Sequence, residues 1–388
     1  MKTVLLTNGQ QRKTLAAVRS LGKKGIRAIV SEETKFNPSG FSKYCTKSLK
    51  CPKITNGEEA YFMWLKDTIK KHGCDILFPM DDDTMNIAIK FRNELNEICK
   101  MYIPPTESYN IACDKKKTME FVENCEAPIP KTYSIEDINQ LDDLTEKVMF
   151  PVIIKPRNSS GSRGIRIVSN KTEFLDEYLK IHLKYPLPIV QDFIGTGDRY
   201  DVCLLYNEKS ELKASFVQKE LRHFPLKYGP STLQESTHSE HLVEISDKIM
   251  RRLKWVGIAE LEFMVDSRDG KFKFMEINPR FWASLQLSII AGVDFPHLLF
   301  RLNDEGDIED NFSYKDAIKC SWLLPGDILH FLANKNRFKM NPPLFSGKKK
   351  GVYDDIVMKE DFMPVVGFKL AVVRYLFDIR MWKFFFKR

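Results

Sequence analysis

Ten residues in the last third of the chain, KFKFMEINPR, carry side chains that could bind a metal and a phosphate. The run from Lys271 has a period of two, which predicts a strand, and Pro279, which cannot donate a ladder hydrogen bond, marks its end. Glu276, Asn278 and Arg280 follow at every second position. Mg²⁺ prefers hard oxygen ligands and phosphates, and a guanidinium can donate two parallel hydrogen bonds to a phosphate. The run therefore predicts a magnesium and phosphate site at a strand end.

A second strand is predicted immediately upstream, over residues 257–266 (GIAELEFMVD). The connection, Ser267-Arg268-Asp269-Gly270, places an Asp-Gly pair between two alternating runs, which is typical of a hairpin. This hairpin would lay Glu262 beside Glu276, so that two carboxylates could share metal ions. An ordinary edge hairpin whose acids face water is the alternative.

The hairpin sequence, EFMVD followed by Gly270 and FMEINPR, resembles the metal hairpin of the ATP-grasp carboxylate–amine ligases. It is similar to the ATP-grasp domains of biotin carboxylase, of the carbamoyl phosphate synthetase large chain and of D-alanine–D-alanine ligase. The continuation, FWASLQLSIIAGVDFP, resembles a subgroup described only as ATP-dependent carboligases. The resemblance implies that the chain uses ATP with Mg²⁺ (or Mn²⁺), and that Glu262, Glu276 and Asn278 are the metal ligands.

Two lysines are candidates for binding the phosphates. Lys155 is the single lysine of an apolar strand, FPVIIKP, and a buried ammonium needs a partner such as a phosphate because its desolvation is costly. The turn after it is rich in serine and glycine and could fold its N–H groups over phosphates. Lys115 opens a helix with Lys116 and Lys117, a run that by itself indicates a solvated face. The resemblance implies that Lys115 and Lys155 hold the phosphates and that the turn covers them.

The segment LPIVQDFI, residues 187–194, corresponds through the resemblance to the hinge that reads adenine. Gln191 would accept from the exocyclic amine, the backbones of Asp192 and Ile194 would pair with the base edge, and Asp198 would bind the ribose. The family more often has Glu at positions 191 and 198, so these two residues are departures. The implied ATP-binding set is Lys115, Lys155, Ser160, Gly161, Ser162, Gly164, Gln191, Asp192, Phe193, Ile194, Asp198 and Lys219.

Two arginines are the predicted catalytic residues. Arg280 would stabilise the negative charge that develops on an acyl phosphate, as a preorganised donor in a dry site. Arg222 precedes a polar segment, residues 223–237, that we expect to be a mobile binding loop. Either Lys219 or Arg222 would clamp the γ-phosphate. A plain surface connection is the alternative for that segment.

The elements that must position these residues predict an α/β fold, with an α+β central part. A strand, a helix and a second strand over residues 3–30 favour a parallel, doubly wound N-terminal domain, although a G-x-G-x-x-G dinucleotide fingerprint is missing. Asp81, Asp82 and Asp83 follow a further strand, and one of them would either contact substrate or cap the next helix. The expected domains are a pre-ATP-grasp domain (1–108), two ATP-grasp subdomains (109–190 and 191–305) and a C-terminal extension (306–388).

Composition narrows the class of protein. The 388 residues are 43% hydrophobic and 29% charged, as in soluble globular proteins, and a net charge of +8 spread along the chain predicts no nucleic-acid groove. Eight cysteines without a C-x-x-C pair, and an N-terminus without an apolar signal region, indicate a cytoplasmic protein. The aromatic and basic end, residues 365–388, would lie on the inner face of a membrane or cover a core. Both alternatives stay open, as does a homodimer.

The resemblance implies an ATP-dependent ligase that joins a small-molecule carboxylate to an amine through an acyl phosphate, with release of ADP and phosphate. One alternative is a carboxylating or carbamoylating ATP-grasp enzyme, against which the lack of a glutaminase or biotin-carrier segment argues. The other is a nucleotide-binding scaffold without catalysis.

Overall fold

The structure is a computed structural model that describes residues 1–158, 163–195, 197–226, 229–344 and 351–376. The chain divides into two compact units, and each is assembled from separated stretches. Unit 1 contains Met1–Ile103, Arg280–Leu324 and the described part that begins at Gly351. Unit 2 contains Pro104–Pro279 and the described part that begins at Pro325.

Unit 1 is built on a parallel sheet of four strands in the order β3-β2-β1-β4, which confirms the predicted α/β class. Short apolar runs such as TVLL form its central strands and are fully buried. Because β2 and β4 lie on opposite sides of β1, the order reverses at β1. The elements are β1 (Thr3–Leu6), α1 (Arg12–Lys23), β2 (Arg27–Glu32), β3 (Cys45–Lys50), α2 (Glu58–His72), β4 (Ile76–Phe78), α3 (Asp82–Lys90) and α4 (Arg92–Asn96).

The later segments of unit 1 pack on α1. Arg19 on α1 forms a buried ion pair with Asp361 at 2.8 Å, and Arg12 forms another with Asp355. These pairs tie a stretch more than 300 residues away to the first helix. The elements of unit 1 in these segments are α10 (Leu285–Ala291), α11 (Phe295–Glu305), β14 (Lys319–Ser321), β15 (Val352–Asp354) and α13 (Met363–Leu376).

Unit 2 holds a small antiparallel sheet in the order β5-β8-β6-β7. Two helices cover one face of it, and Leu144, Phe174 and Tyr178 pack there into a shared core. The elements are α5 (Thr106–Cys113), α6 (Lys115–Asn124), β5 (Thr132–Tyr133), α7 (Leu141–Lys147), β6 (Val152–Lys155), β7 (Arg166–Val168), α8 (Lys171–His182) and β8 (Ile189–Asp192).

A larger antiparallel arrangement in unit 2 has the order β13-β12-β9-β10-β11. Side chains alternate between the two faces of each strand. Val202, Leu204 and Leu261 therefore pack into a core with α9, and the residues between them face the other side of the sheet. The elements are β9 (Arg199–Tyr206), β10 (Leu212–His223), β11 (Ser231–Thr237), α9 (Glu240–Arg252), β12 (Gly257–Val265), β13 (Phe272–Asn278) and α12 (Ile328–Ala333).

Strand β11 corrects one expectation, because residues 231–237 were expected to belong to a mobile loop. They pair instead with β10, and most of their side chains are buried although the sequence STLQEST is polar. Among the described residues, no single helix is both long and apolar enough to cross a membrane; the bent pair α10 and α11 meets that test only when taken together. The predictions for the chain end beyond residue 376 lie outside the described residues.

Candidate functional site

A cavity that is open to solvent lies within unit 2 and is lined by residues of both of its sheets. The predicted site residues that line it are Lys115, Lys155, Gln191, Asp192, Phe193, Ile194, Glu262 and Glu276.

The acids of the cavity form a row across neighbouring strands. Glu262 on β12 lies directly opposite Glu276 on β13, as the hairpin predicted, and opposite Asp201 on β9. A bulge at Met275 breaks the alternation next to Glu276, so both residues line the cavity. Asn278 donates from its side-chain amide to Glu262 at 2.7 Å and to Glu260 at 3.1 Å. Carboxylates are therefore concentrated on one face of the sheet.

This concentration of acids is electrostatically unfavourable unless a cation joins it. Burial, reinforced by the charges of Glu276 and Asp201, raises the pKa of Glu262 well above its ordinary value. Burial also raises the pKa of Asp201, with Glu220 and Glu260 adding to the effect. In the described part of the chain, no group of three or more His, Cys, Asp or Glu is placed to hold a metal ion by itself. Two carboxylates and an amide fit Mg²⁺, which usually takes one or two carboxylates together with phosphate oxygens.

The two predicted phosphate lysines both reach this cavity. Lys155 is 6% exposed, and burial lowers its pKa to about 8 although Glu276 acts in the opposite direction. Lys115 begins α6 and places its ammonium 3.1 Å from Glu276. Asp114 caps that helix and binds Arg157, which follows β6; burial alone would raise the pKa of Asp114, but Arg157 holds it below its ordinary value. This link brings the start of α6 to the end of β6.

The predicted hinge also lines the cavity, and its hydrogen bonds limit how it can serve a ligand. The N–H of Asp192 donates to the carbonyl of Lys131 at 2.9 Å, so that N–H is not available to a ligand. The carbonyl of Ile194 accepts from Ser267, whereas no hydrogen bond between described residues uses the Ile194 N–H. Gln191 is fully buried, and its Oε1 has no hydrogen-bond partner among the described residues. An N–H donor of a ligand would satisfy this atom.

The predicted phosphate-covering loop is only partly described. Ser160, Gly161 and Ser162 lie outside the described residues. Gly164 has a φ of +77°, and a Cβ there would lie 2.8 Å from Pro156, so the turn itself requires glycine.

Asp198 and Lys219 are not placed as the sequence predicted. They bind each other at 2.5 Å, Asp198 raises the pKa of Lys219, and neither lines the cavity. Lys219 stands between Gln218 and Glu220 on β10, and Glu220 faces the cavity. Because side chains alternate along a strand, Lys219 points to the opposite face, where it lies over the ring of Tyr200.

Arg222 is also placed differently from the prediction of a catalytic or phosphate-binding role. It forms a buried ion pair with Asp327 at 2.8 Å and donates to the carbonyl of Pro342. A bulge between Glu220 and Arg222 interrupts the alternation of β10, so Arg222 does not continue the cavity-facing row. The geometry gives Arg222 a structural role in unit 2.

Arg280, the other predicted catalytic residue, belongs to unit 1. Its Nε donates to Asp82 at 2.9 Å, and its guanidinium also donates to the carbonyl of Phe281. The neighbouring Asp81 caps α3 through the N–H of Thr84 at 2.9 Å, which confirms the capping alternative for that aspartate. Asp82 has an arginine partner instead.

Sequence reasoning missed Arg199 and Asp201, which both line the cavity. Arg199 lies 3.7 Å from Glu220, and Asp201 accepts from Gln218 at 2.7 Å. Alternation along RYDVCLL could have found them, because Arg199 and Asp201 must share the face opposite Val202 and Leu204.

Comparison with known proteins agrees with this arrangement. Residues 112–284 match the family model described as an ATP-grasp domain. D-alanine–D-alanine ligase of Fusobacterium nucleatum is 27% identical over 178 residues, which are 43% of this chain and 56% of that ligase. The matches span between 22% and 56% of the length of three curated relatives.

Solved structures show the same fold. The biotin carboxylase of Campylobacter jejuni, solved with β,γ-ATP, aligns with a TM-score of 0.69 at 18% identity and covers 80% of this chain and 72% of that one. The L-amino acid ligase of Bacillus licheniformis aligns with a TM-score of 0.61 at 16% identity and covers 78% of this chain and 74% of that one. The cavity lies inside the matched segment, so the site belongs to the part of the chain that is similar to ATP-grasp domains.

Proposed function

We propose that the chain is an ATP-dependent ligase that forms an amide or peptide bond between a small-molecule carboxylate and an amine. One observation carries the proposal: a single cavity brings two lysines, Lys115 and Lys155, to within reach of the acids Glu262 and Glu276. Cations for phosphates and carboxylates for a metal are the two requirements of phosphoryl transfer.

In this proposal the hinge binds the base, Lys115 and Lys155 hold the phosphates, and Glu262, Glu276 and Asn278 hold Mg²⁺ or Mn²⁺. The metal would offset the charge on the phosphates. The substrate carboxylate attacks the γ-phosphorus of ATP, the bond to the bridging oxygen breaks, and ADP leaves. The amine then attacks the acyl carbon of the resulting acyl phosphate, and phosphate leaves with formation of the amide. The protein contributes positioning and charge neutralisation.

Arg199 extends the proposed set of binding residues. It lies on the cavity-facing side of β9, where the structure does not place Lys219 or Arg222. Arg280 stays a proposed catalytic residue. The loop residues Ser160, Gly161 and Ser162 stay proposals from the resemblance alone.

The compartment and assembly are also proposals. All eight cysteines are free thiols, which supports a cytoplasmic location. A homodimer is a prediction that light scattering on the purified chain would check.

The function is tested by trapping the acyl phosphate. The full chain is incubated with Mg–ATP, pools of carboxylates and hydroxylamine, which replaces the amine. We expect ADP release and a hydroxamate, identified by its mass, only when ATP and a carboxylate are both present. ADP release that depends on bicarbonate and yields no hydroxamate would identify a carboxylating enzyme instead. Failure of the chain to bind Mg–ATP would overturn the proposal.

A further inference from the structure

Thr132 stands beside Gln191, a hinge residue that lines the cavity and whose buried amide oxygen has no hydrogen-bond partner among the described residues. Thr132 on β5 is the direct neighbour of Gln191 on β8. Nε2 of Gln191 donates to Oγ1 of Thr132 at 2.8 Å, while Oε1 of the same amide has no partner among the described residues. The backbone of Gln191 is held on both sides, because β8 also pairs with β6. Only rotation of the amide could therefore exchange the oxygen and the nitrogen.

The chemistry of the hydroxyl determines which end of the amide it binds. Oγ1 of Thr132 lies 2.8 Å from the carbonyl of Pro130, and a carbonyl can only accept. The single hydroxyl proton is thus committed to Pro130. Towards Gln191 the hydroxyl oxygen can then only accept, so it selects the NH₂ group. The reversed amide would bring two acceptors together.

This orientation matters because the residue is glutamine. A carboxylate at position 191 would present an acceptor in either orientation, whereas an amide presents one only if a neighbour orients it. A buried acceptor without a partner is unfavourable, so Oε1 favours a ligand that brings an N–H donor. A 6-aminopurine has such a donor, and a 6-oxopurine has an acceptor in its place.

We propose that Thr132 is a positioning residue that sets the base selectivity of the nucleotide site by orienting the Gln191 amide. The inference rests on the proposed function only in that the cavity binds a nucleoside triphosphate. It adds a residue that does not itself contact the base. It also explains how a glutamine can select adenine.

The test compares the binding of the β,γ-imido analogues of ATP and ITP, each with Mg²⁺, by isothermal titration calorimetry. We expect the native chain to bind the ATP analogue about tenfold or more tightly. Thr132→Val keeps the shape but removes the hydroxyl, and it should bring the ratio of the two Kd values close to one. Thr132→Ser should restore the preference. In Gln191→Glu, Thr132→Val should no longer affect the ratio, because both carboxylate oxygens accept.

An unchanged ratio in Thr132→Val, or an equal loss of affinity for both analogues, would show a merely structural threonine and overturn the inference. A native chain that binds both analogues equally would overturn the inference but not the ligase proposal, which the hydroxamate assay decides. A native chain that binds neither would overturn both.

Discussion

The ion-pair cluster around Arg19 in unit 1 and the acid row of the cavity in unit 2 treat buried charge in opposite ways. In unit 1, Arg19 and Asp361 are 2% and 1% exposed and lie 2.8 Å apart. The remaining guanidinium hydrogens reach backbone carbonyls, including that of Ile356 at 2.9 Å. Asp361 also accepts from Ser42 at 2.7 Å and from the N–H of Lys43 at 2.9 Å. Each charge in this cluster is matched by the protein itself.

In the cavity of unit 2, three acids of neighbouring strands lie side by side. Glu262 is flanked by Glu276 and Asp201, and burial raises the pKa of both Glu262 and Asp201. Natural selection for stability alone gives no reason to keep such a row. A cation from outside the chain does, because strongly shifted groups in a cavity are typical of functional sites. The comparison therefore separates charge that holds the fold from charge that we propose to bind a ligand.

Breaking the paired cluster should have the largest effect on folding. Arg19→Met leaves Asp361 buried without its partner, and we expect the free energy of unfolding to fall by about 3–5 kcal/mol. Urea denaturation followed by circular dichroism measures this. Arg301→Met, which removes an exposed pair with Glu305, is the matched control and should cost less than about 1 kcal/mol. Equal losses for the two variants would contradict the distinction between the clusters.

Neutralising the acid row should instead remove function. Glu276→Gln loses one carboxylate of the proposed metal site, and we expect kcat to fall about 10²–10³-fold, as when one preorganised electrostatic contact is lost. The rate of hydroxamate formation measures this loss of kcat. The urea midpoint of unfolding should change no more than it does in variants at exposed positions. Glu244→Gln, an exposed glutamate of α9, serves as the control. A fully active Glu276→Gln variant would refute the assignment.

The pH dependence of stability and of Mg–ATP affinity tests the proposed role of Lys155. Its native pKa of about 8 lies below the unfolded value, so the native state binds fewer protons between about pH 8 and pH 10.5. The contribution of Lys155 to stability therefore rises with pH across this window. Affinity for Mg–ATP should move the other way, falling by up to about tenfold per unit above pH 8 as the ammonium is lost. Calorimetric titration from pH 7 to pH 9.5 measures the affinity.

Lys155→Arg is the control for this pH dependence, because a guanidinium keeps its charge throughout the range. Its affinity should be nearly flat above pH 8. A native chain with the same flat profile would contradict the placement of Lys155 beside the phosphates.

The sequence predicted the pairing of β12 with β13 well because its information is local. An Asp-Gly turn and strict alternation determine which residues face each other, and Glu262 and Glu276 do so in the structure. The parallel N-terminal sheet was predictable for the same reason, from short apolar runs separated by helices. The resemblance to the ATP-grasp ligases rests on the same motif.

Features that depend on tertiary pairing were not predictable in this way. Residues 231–237 read as a loop because STLQEST is polar, yet the sheet buries them. Lys219 and Arg222 were predicted to be phosphate ligands because of their charge. The alternation of side chains along β10 places Lys219 on the face opposite the cavity, and the bulge before Arg222 removes that residue from the cavity-facing row. Asp201 was missed because its importance comes from a neighbour, Glu262, about sixty positions away.

The smallest expected effect is that of replacing Asp201 in the acid row. Its native pKa is raised above the unfolded value of about 3.9, so its contribution to stability is present at low pH and is lost as pH rises through the native pKa. Ionisation of this side chain is therefore unfavourable where it lies. Asp201→Asn removes the charge and keeps an oxygen that can accept from Gln218. We expect it to increase the free energy of unfolding at pH 7 by about 1 kcal/mol.

The sign of this change is opposite to that of Arg19→Met, and this contrast is what the experiment examines. Urea denaturation at pH 7 without Mg²⁺ should show the gain, and Asp176→Asn, an exposed aspartate of α8, should change stability by no more than about 0.5 kcal/mol. Adding Mg²⁺ with a non-hydrolysable ATP analogue should narrow the gap, because the cation then compensates the native carboxylate. A destabilised Asp201→Asn variant would mean that this acid belongs with the paired charges of unit 1, as part of the framework and not of the site.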